Sequence, residues 1–159
     1  MRLLFVCTGN TCRSLMAEGL ASKIINRLNL VGKLEVASAG LAAFPGAPAS
    51  SGARSVLSRE GIDVSEHQAK QLTEDMLYNA DVILTMTAVQ KQHLTDLFPE
   101  VAEKIFILKE FAQGSSPDTE EESHDIPDPF GQPERVYQQC ADELAQVIEQ
   151  VLKRIADSG

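Results

Sequence analysis

The stretch FVCTGNTCRS, residues 5–14, decides the fold. It leaves a short apolar run, Leu3 to Val6, and enters a helical pattern that opens with Ser14, Leu15, Met16 and Ala17. Between the two lie Cys7, Thr8, Gly9, Asn10, Thr11, Cys12 and Arg13. A buried strand that turns through small residues into a helix is the building unit of an α/β sheet. In such sheets ligands bind beyond the C-terminal ends of the strands, where this loop falls.

Further strand-like runs follow at 34–38, 81–86 and 104–108, after the first at 2–7. Helical spacing alternates with them. Ala17, Leu20, Ala21, Ile24 and Leu28 share one face of a first helix. A second helix, about 51–60, stops at Gly61, a C-terminal signal. Thr87 and Gln90 form a capping-box pattern before a helix that reaches about Phe98. A last helix, about 134–156, carries Val136, Cys140, Leu144, Val147, Val151 and Ile155 on one stripe, which makes Cys140 a small core residue. The expected fold is α/β: a single three-layer domain over 1–159, with a four-stranded parallel sheet and helices on both faces. Two long loops, 39–50 and 112–133, would flank the ligand edge.

Composition narrows the function classes. Apolar residues make up 43% and charged residues 23%, ordinary for a soluble globule. No run approaches the roughly 20 apolar residues of a membrane span, so no membrane partner is expected. The N-terminal apolar run stops at Cys7, which is not a signal-peptide plan, and a cytoplasmic protein is expected. A net charge of −9 argues against broad nucleic-acid binding. The acidity concentrates around 118–128, as in a solvated loop. Three cysteines make no disulfide framework. Cys7 and Cys12 are not a C-x-x-C pair, and three histidines give a zinc site poor support. No metal or cofactor is expected, and oligomeric state is not legible.

The first loop carries the chemistry. Converging backbone N–H groups and a helix N-terminus form an anion cradle. Gly9 and Asn10 are residue types that tolerate positive φ. Arg13 adds a charged fork that can hold two phosphate oxygens. The glycines and lysine of the Walker loop are absent. The Cys7 sulfur would face the cradle and Arg13, surroundings that favour a thiolate. That thiolate would be set for in-line attack on phosphorus, giving a phosphocysteine intermediate. Ser14 would hydrogen-bond the sulfur and help it leave. From the residues alone, Asp128 is one acid among Asp118, Glu120, Glu121, Glu122 and Asp125. Pro129 holds it in extended backbone, and an acid there could protonate a leaving group.

VCTGNTCRS followed by MAE, SAG at 38–40, HQAKQL at 67–72 and DPF at 128–130 together resemble the low-molecular-weight protein-tyrosine-phosphatase family. The likeness runs over nearly the whole chain. It implies that Cys7 is the nucleophile, Arg13 the phosphate binder and Asp128 the general acid. Thr8, Gly9, Asn10, Thr11, Cys12, Arg13 and Ser14 would form the phosphate site. Asn10, Ser14, Ser38 and His67 would support the loop. Leu15 departs from the family's usual proline and is expected to loosen the helix start slightly.

Thr11 sets the substrate question. Tyrosine-directed members commonly carry an aliphatic residue there, suited to a phenol. The subgroup that resembles bacterial protein-arginine phosphatases carries threonine, whose hydroxyl could bond a guanidinium group or orient water. Phosphorylated proteins are the expected substrates, with phosphoarginine ahead of phosphotyrosine. An arsenate reductase would need relay cysteines near 80–90, and there are none. A silent phosphopeptide-binding module would lack Cys7 or the acid, and both are present. Cys7 and Cys12 are also a candidate redox pair, since a sulfenic acid can be captured by a neighbouring thiol.

Overall fold

A computed structural model of the chain describes residues 1–114 and 124–158. Among these described residues four strands, β1 (Arg2–Cys7), β2 (Glu35–Gly40), β3 (Val82–Thr85) and β4 (Ile105–Ile107), pair in the order β2-β1-β3-β4. All three pairings are parallel. The described residues also form six α-helices: α1 (Arg13–Arg27), α2 (Ser51–Arg59), α3 (Glu74–Asn79), α4 (Ala88–Leu97), α5 (Leu108–Gln113) and α6 (Glu134–Ser158). A 3₁₀ turn spans Pro99–Lys104.

The period-two alternation of β1 divides the core. Leu3, Phe5 and Cys7 face one layer, with buried side chains of α1, α2 and α6 such as Met16, Leu57 and Leu144. Leu4 and Val6 face the other, with Leu77 of α3, Leu94 of α4 and Val101. Both sheet faces are thus covered, as an all-parallel sheet requires.

The strand order locates the site. The chain leaves β1 to pair with β2 on one side, and β3 then pairs on the other. The crevice at such a switch point lies beyond the end of the central strand. Here that strand ends at Cys7.

The expected strands and the four expected helices are all present, with bounds within two residues of those expected. α2 ends at Arg59, and Gly61 takes φ 76° just beyond it. In α6, Cys140, Leu144, Val147 and Val151 are buried. Burial pushes the Cys140 thiol up to about 12, consistent with an inert packing role. The short helices α3 and α5 and the 3₁₀ turn are additions to the expected set. Leu15 is buried in the first turn of α1, so core packing holds the start of a helix that has no side-chain cap. The long loop expected over 112–133 is shortened at its start by the end of α5. Its acids Asp118, Glu120, Glu121 and Glu122 lie outside the described residues.

Candidate active site

The loop from Cys7 to Arg13 is shaped by one left-handed residue. Asn10 takes φ 59°, whereas Gly9, expected to share that role, lies outside the left-handed region. A single αL residue makes the turn, and its side chain makes the turn permanent. Asn10 is fully buried. Its Nδ2 donates to Ser14 Oγ and to Ser38 Oγ, each at 2.9 Å. Its Oδ1 accepts from the backbone N–H of Lys70 at 3.0 Å. Its carbonyl lies 2.8 Å from His67 Nε2. A carbonyl only accepts, so Nε2 carries the hydrogen.

These bonds orient one another. Ser38 Oγ donates to Glu18 Oε1 at 2.8 Å, so its lone pairs face Asn10. Ser14 Oγ accepts from Asn10 and lies 2.9 Å from the Cys7 sulfur; a thiolate there can only accept, so Ser14 would donate to it. The hydrogen-bond sequence runs from the Glu18 carboxylate to the Cys7 thiol, and every member except Glu18 is buried. The fragments MAE, SAG and HQAKQL supply its parts. Gly40 closes the fit: a Cβ there would lie 2.7 Å from the Thr8 carbonyl oxygen.

Arg13 is buried at 6% exposure and is held from the acid loop. Its Nη1 donates to the carbonyl of Ile126 at 2.9 Å, and its Nη2 lies 3.7 Å from Asp128 Oδ2. Ile126 is in turn fixed to the end of β3, its N–H donating to the Met86 carbonyl at 2.8 Å. Asp128 Oδ1 accepts from the Phe130 N–H at 3.0 Å, an Asx turn that aims the carboxylate. Asp125, the rival acid, instead accepts from Ala88 N–H at the start of α4 at 2.8 Å.

A cavity of about 310 Å³ opens over the loop. Cys7, Thr8, Gly9, Thr11, Cys12, Arg13 and Asp128 line its floor and one side, with Ala42 and the exposed rings of Phe44 and Phe130 completing the wall. Asn10, Ser14, Ser38 and His67 stand behind it. All three cysteines are free thiols. Cys12 Sγ lies 3.2 Å from Ser50 Oγ and 3.5 Å from Tyr137 Oη. Burial holds the Tyr137 phenol above its ordinary range, which keeps it a neutral donor.

Sequence reasoning missed Glu18, Lys70, Tyr137 and the site role of Gln90. Glu18 and Lys70 lie inside the quoted fragments and could have been asked for partners. Gln90 was expected only as half of a capping box. Thr87 does accept from the Gln90 N–H at 3.1 Å. The Gln90 side chain does not return to Thr87: its Oε1 accepts from Met86 N–H at 3.0 Å, and its Nε2 donates to Thr8 Oγ1 at 3.2 Å. Thr8, on the cradle loop, takes the amide that a reciprocal capping box would have turned back to Thr87.

A cysteine and an arginine bracketing one anion-sized loop, at the end of the central strand of this four-stranded sheet, define the class of small cysteine-based phosphatases. The chain belongs to the low molecular weight phosphotyrosine protein phosphatase family, whose model matches residues 2–158. Among relatives, it is 40% identical to a protein-arginine-phosphatase of Geobacillus stearothermophilus, over 97% of this chain and 95% of the relative. Its fold matches a Cys-to-Ser mutant of an arginine phosphatase with a phosphorylated active-site serine, with a TM-score of 0.89, 37% identity and coverage of 98% and 96%. It also matches a low molecular weight protein tyrosine phosphatase from T. tengcongensis, with a TM-score of 0.86, 44% identity and coverage of 97% and 99%.

Proposed function

We propose that the protein removes phosphoryl groups from phosphoarginine in other proteins through a phosphocysteine intermediate. The observation that carries this is Cys7 lining one cavity with Arg13 and Asp128, with Ser14 Oγ 2.9 Å from its sulfur. The phosphoryl group sits on the loop N–H groups with two oxygens on Arg13. The Cys7 thiolate attacks phosphorus from the side opposite the leaving group. The S–P bond forms as the P–N bond breaks, and Asp128 gives its proton to the departing guanidine nitrogen. Asp128 then takes a proton from water, whose oxygen attacks phosphorus and releases phosphate. The sulfur leaves as a thiolate, stabilised by the Ser14 hydroxyl.

The choice of arginine is supported by Thr11, whose residue lines the cavity, and by the arginine phosphatases among the relatives. Tyrosine is the second reading. The Phe44 and Phe130 rings on the cavity wall suit a phenol, and a 44% identical structure is described as a tyrosine phosphatase. We place the enzyme in the cytoplasm and assign it no metal. Phosphate release should persist in excess chelator and vanish in Cys7→Ser. Full inhibition by EDTA that a divalent ion restores would contradict the reading.

The same site supports redox control. Cys7 and Cys12 line one cavity as free thiols. Mild peroxide should convert Cys7 to a sulfenic acid, and attack by the Cys12 sulfur should expel water and form a disulfide. Peptide mapping should find the 7–12 bridge, and dithiothreitol should restore activity. Inactivation that dithiothreitol cannot reverse, equal in Cys12→Ser, would rule out this protection.

A further inference from the structure

Gln90 is a polar side chain at 6% exposure in the first turn of α4. Buried amides are retained where each polar atom is bonded. Both of its side-chain bonds have a fixed sense. Met86 N–H is a donor, so the Gln90 atom facing it is Oε1. The atom facing Thr8 is therefore Nε2, which can only donate. Thr8 Oγ1 must accept, and its single hydrogen is left unengaged by Gln90.

The surroundings say where that hydrogen goes. Thr8 is exposed and lines the cavity beside Cys7, Gly9 and Arg13. Its backbone is held, the carbonyl accepting from Ala42 N–H at 2.9 Å. The turn that carries Gln90 is held as well, because Met86 also accepts from Ile126 N–H. Ile126 is the residue whose carbonyl binds Arg13. The Met86 backbone is thus bonded both to the side chain that holds the Thr8 hydroxyl and to the residue whose carbonyl holds the Arg13 guanidinium.

We propose that Gln90 is a positioning residue of the anion site, turning the Thr8 hydroxyl hydrogen into the cavity toward the oxygens of the bound phosphoryl group. The proposal rests on the phosphatase reading above. Thr8 then adds a side-chain donor to the backbone donors of the loop, and Gln90 removes the alternative in which Thr8 donates backward into the protein.

Replacement of Gln90 by Glu tests the sense of the bond. The carboxylate still accepts from Met86 N–H, but it can only accept from Thr8, so the hydroxyl hydrogen turns away from the cavity. Inorganic phosphate, measured as a competitive inhibitor of aryl phosphate hydrolysis, is the probe. Thr8→Val should weaken phosphate inhibition about tenfold in the wild-type background, the low end for a bond to a charged group. Thr8→Ser should restore it. In the Gln90→Glu background, Thr8→Val should weaken phosphate no further, because the donor is already lost. Any repulsion from the new carboxylate is common to both members of that second pair and cancels. An equal Thr8→Val effect in both backgrounds, or none in the wild-type background, would overturn the proposal while leaving the phosphatase reading intact. A wild-type protein with neither phosphatase activity nor phosphate affinity would overturn both.

Discussion

At the scale of single residues, the site joins groups of very different legibility. Cys7 and Arg13 could be read directly, because the spacing, the small residues between them and the strand-to-helix change sit in one stretch. Asp128 could not be singled out by chemistry, since five other acids crowd its loop. What separates it is a position near Arg13, 3.7 Å away, while Asp125 is spent on the start of α4. That assignment has a leaving-group signature. Asp128→Asn should lose most activity on phosphoprotein substrates and much less on an activated aryl phosphate, because a good leaving group departs unprotonated. Proton donation is worth roughly 10²–10⁴-fold, which bounds the difference. Equal kcat losses on both substrates would mean that Asp128 only shapes its loop.

At the scale of elements, the packing of α2 against α6 sets the back of the cradle. Gly52 lies against the ring of Tyr137, and a Cβ there would fall 2.4 Å from its carbons. Tyr137 in turn touches Cys12, and the Thr11 carbonyl accepts from the Ser50 N–H at 3.0 Å. Alanine normally stabilises a helix interior over glycine by about 1 kcal/mol. Here the clash should reverse the sign. Gly52→Ala should lower stability by about 1–2 kcal/mol, since overpacking costs about 1–3 kcal/mol. Urea unfolding measures it, and a variant more stable than wild type would show that Tyr137 shifts freely. The four longer helices were legible from their repeating period or their end signals, and the strands, down to the three residues of β4, from continuous apolar runs. α3 and α5 have six residues each, too few to show a helical period. The capping signal at Thr87 was legible, but the direction of the Gln90 side chain was not. It depends on Thr8, 82 residues away in sequence with α1, β2, α2, α3 and β3 between.

At the scale of the molecule, four parallel strands bring the loop after β1, the 67–72 segment and the 124–130 segment to one edge. Alternation of strands and helices made the sheet legible, but the order β2-β1-β3-β4 depends on long-range pairing that no local pattern carries. The loop support was legible only through fragments quoted from a family resemblance, and its logic as a directed series of hydrogen bonds emerges from the fold. Thr11 shares the cavity lining with Phe44 and Phe130, so the proposed choice of substrate is tested at Thr11. The most direct measurement is the ratio of kcat/KM for a phosphoarginine peptide to that for the matched phosphotyrosine peptide, in wild type and in Thr11→Ile. An arginine-directed site is expected to give a wild-type ratio above one that falls in Thr11→Ile by roughly 10–150-fold, the loss of a hydrogen bond to a charged group. A wild-type ratio below one, unchanged by the substitution, would contradict it and give the enzyme to phosphotyrosine.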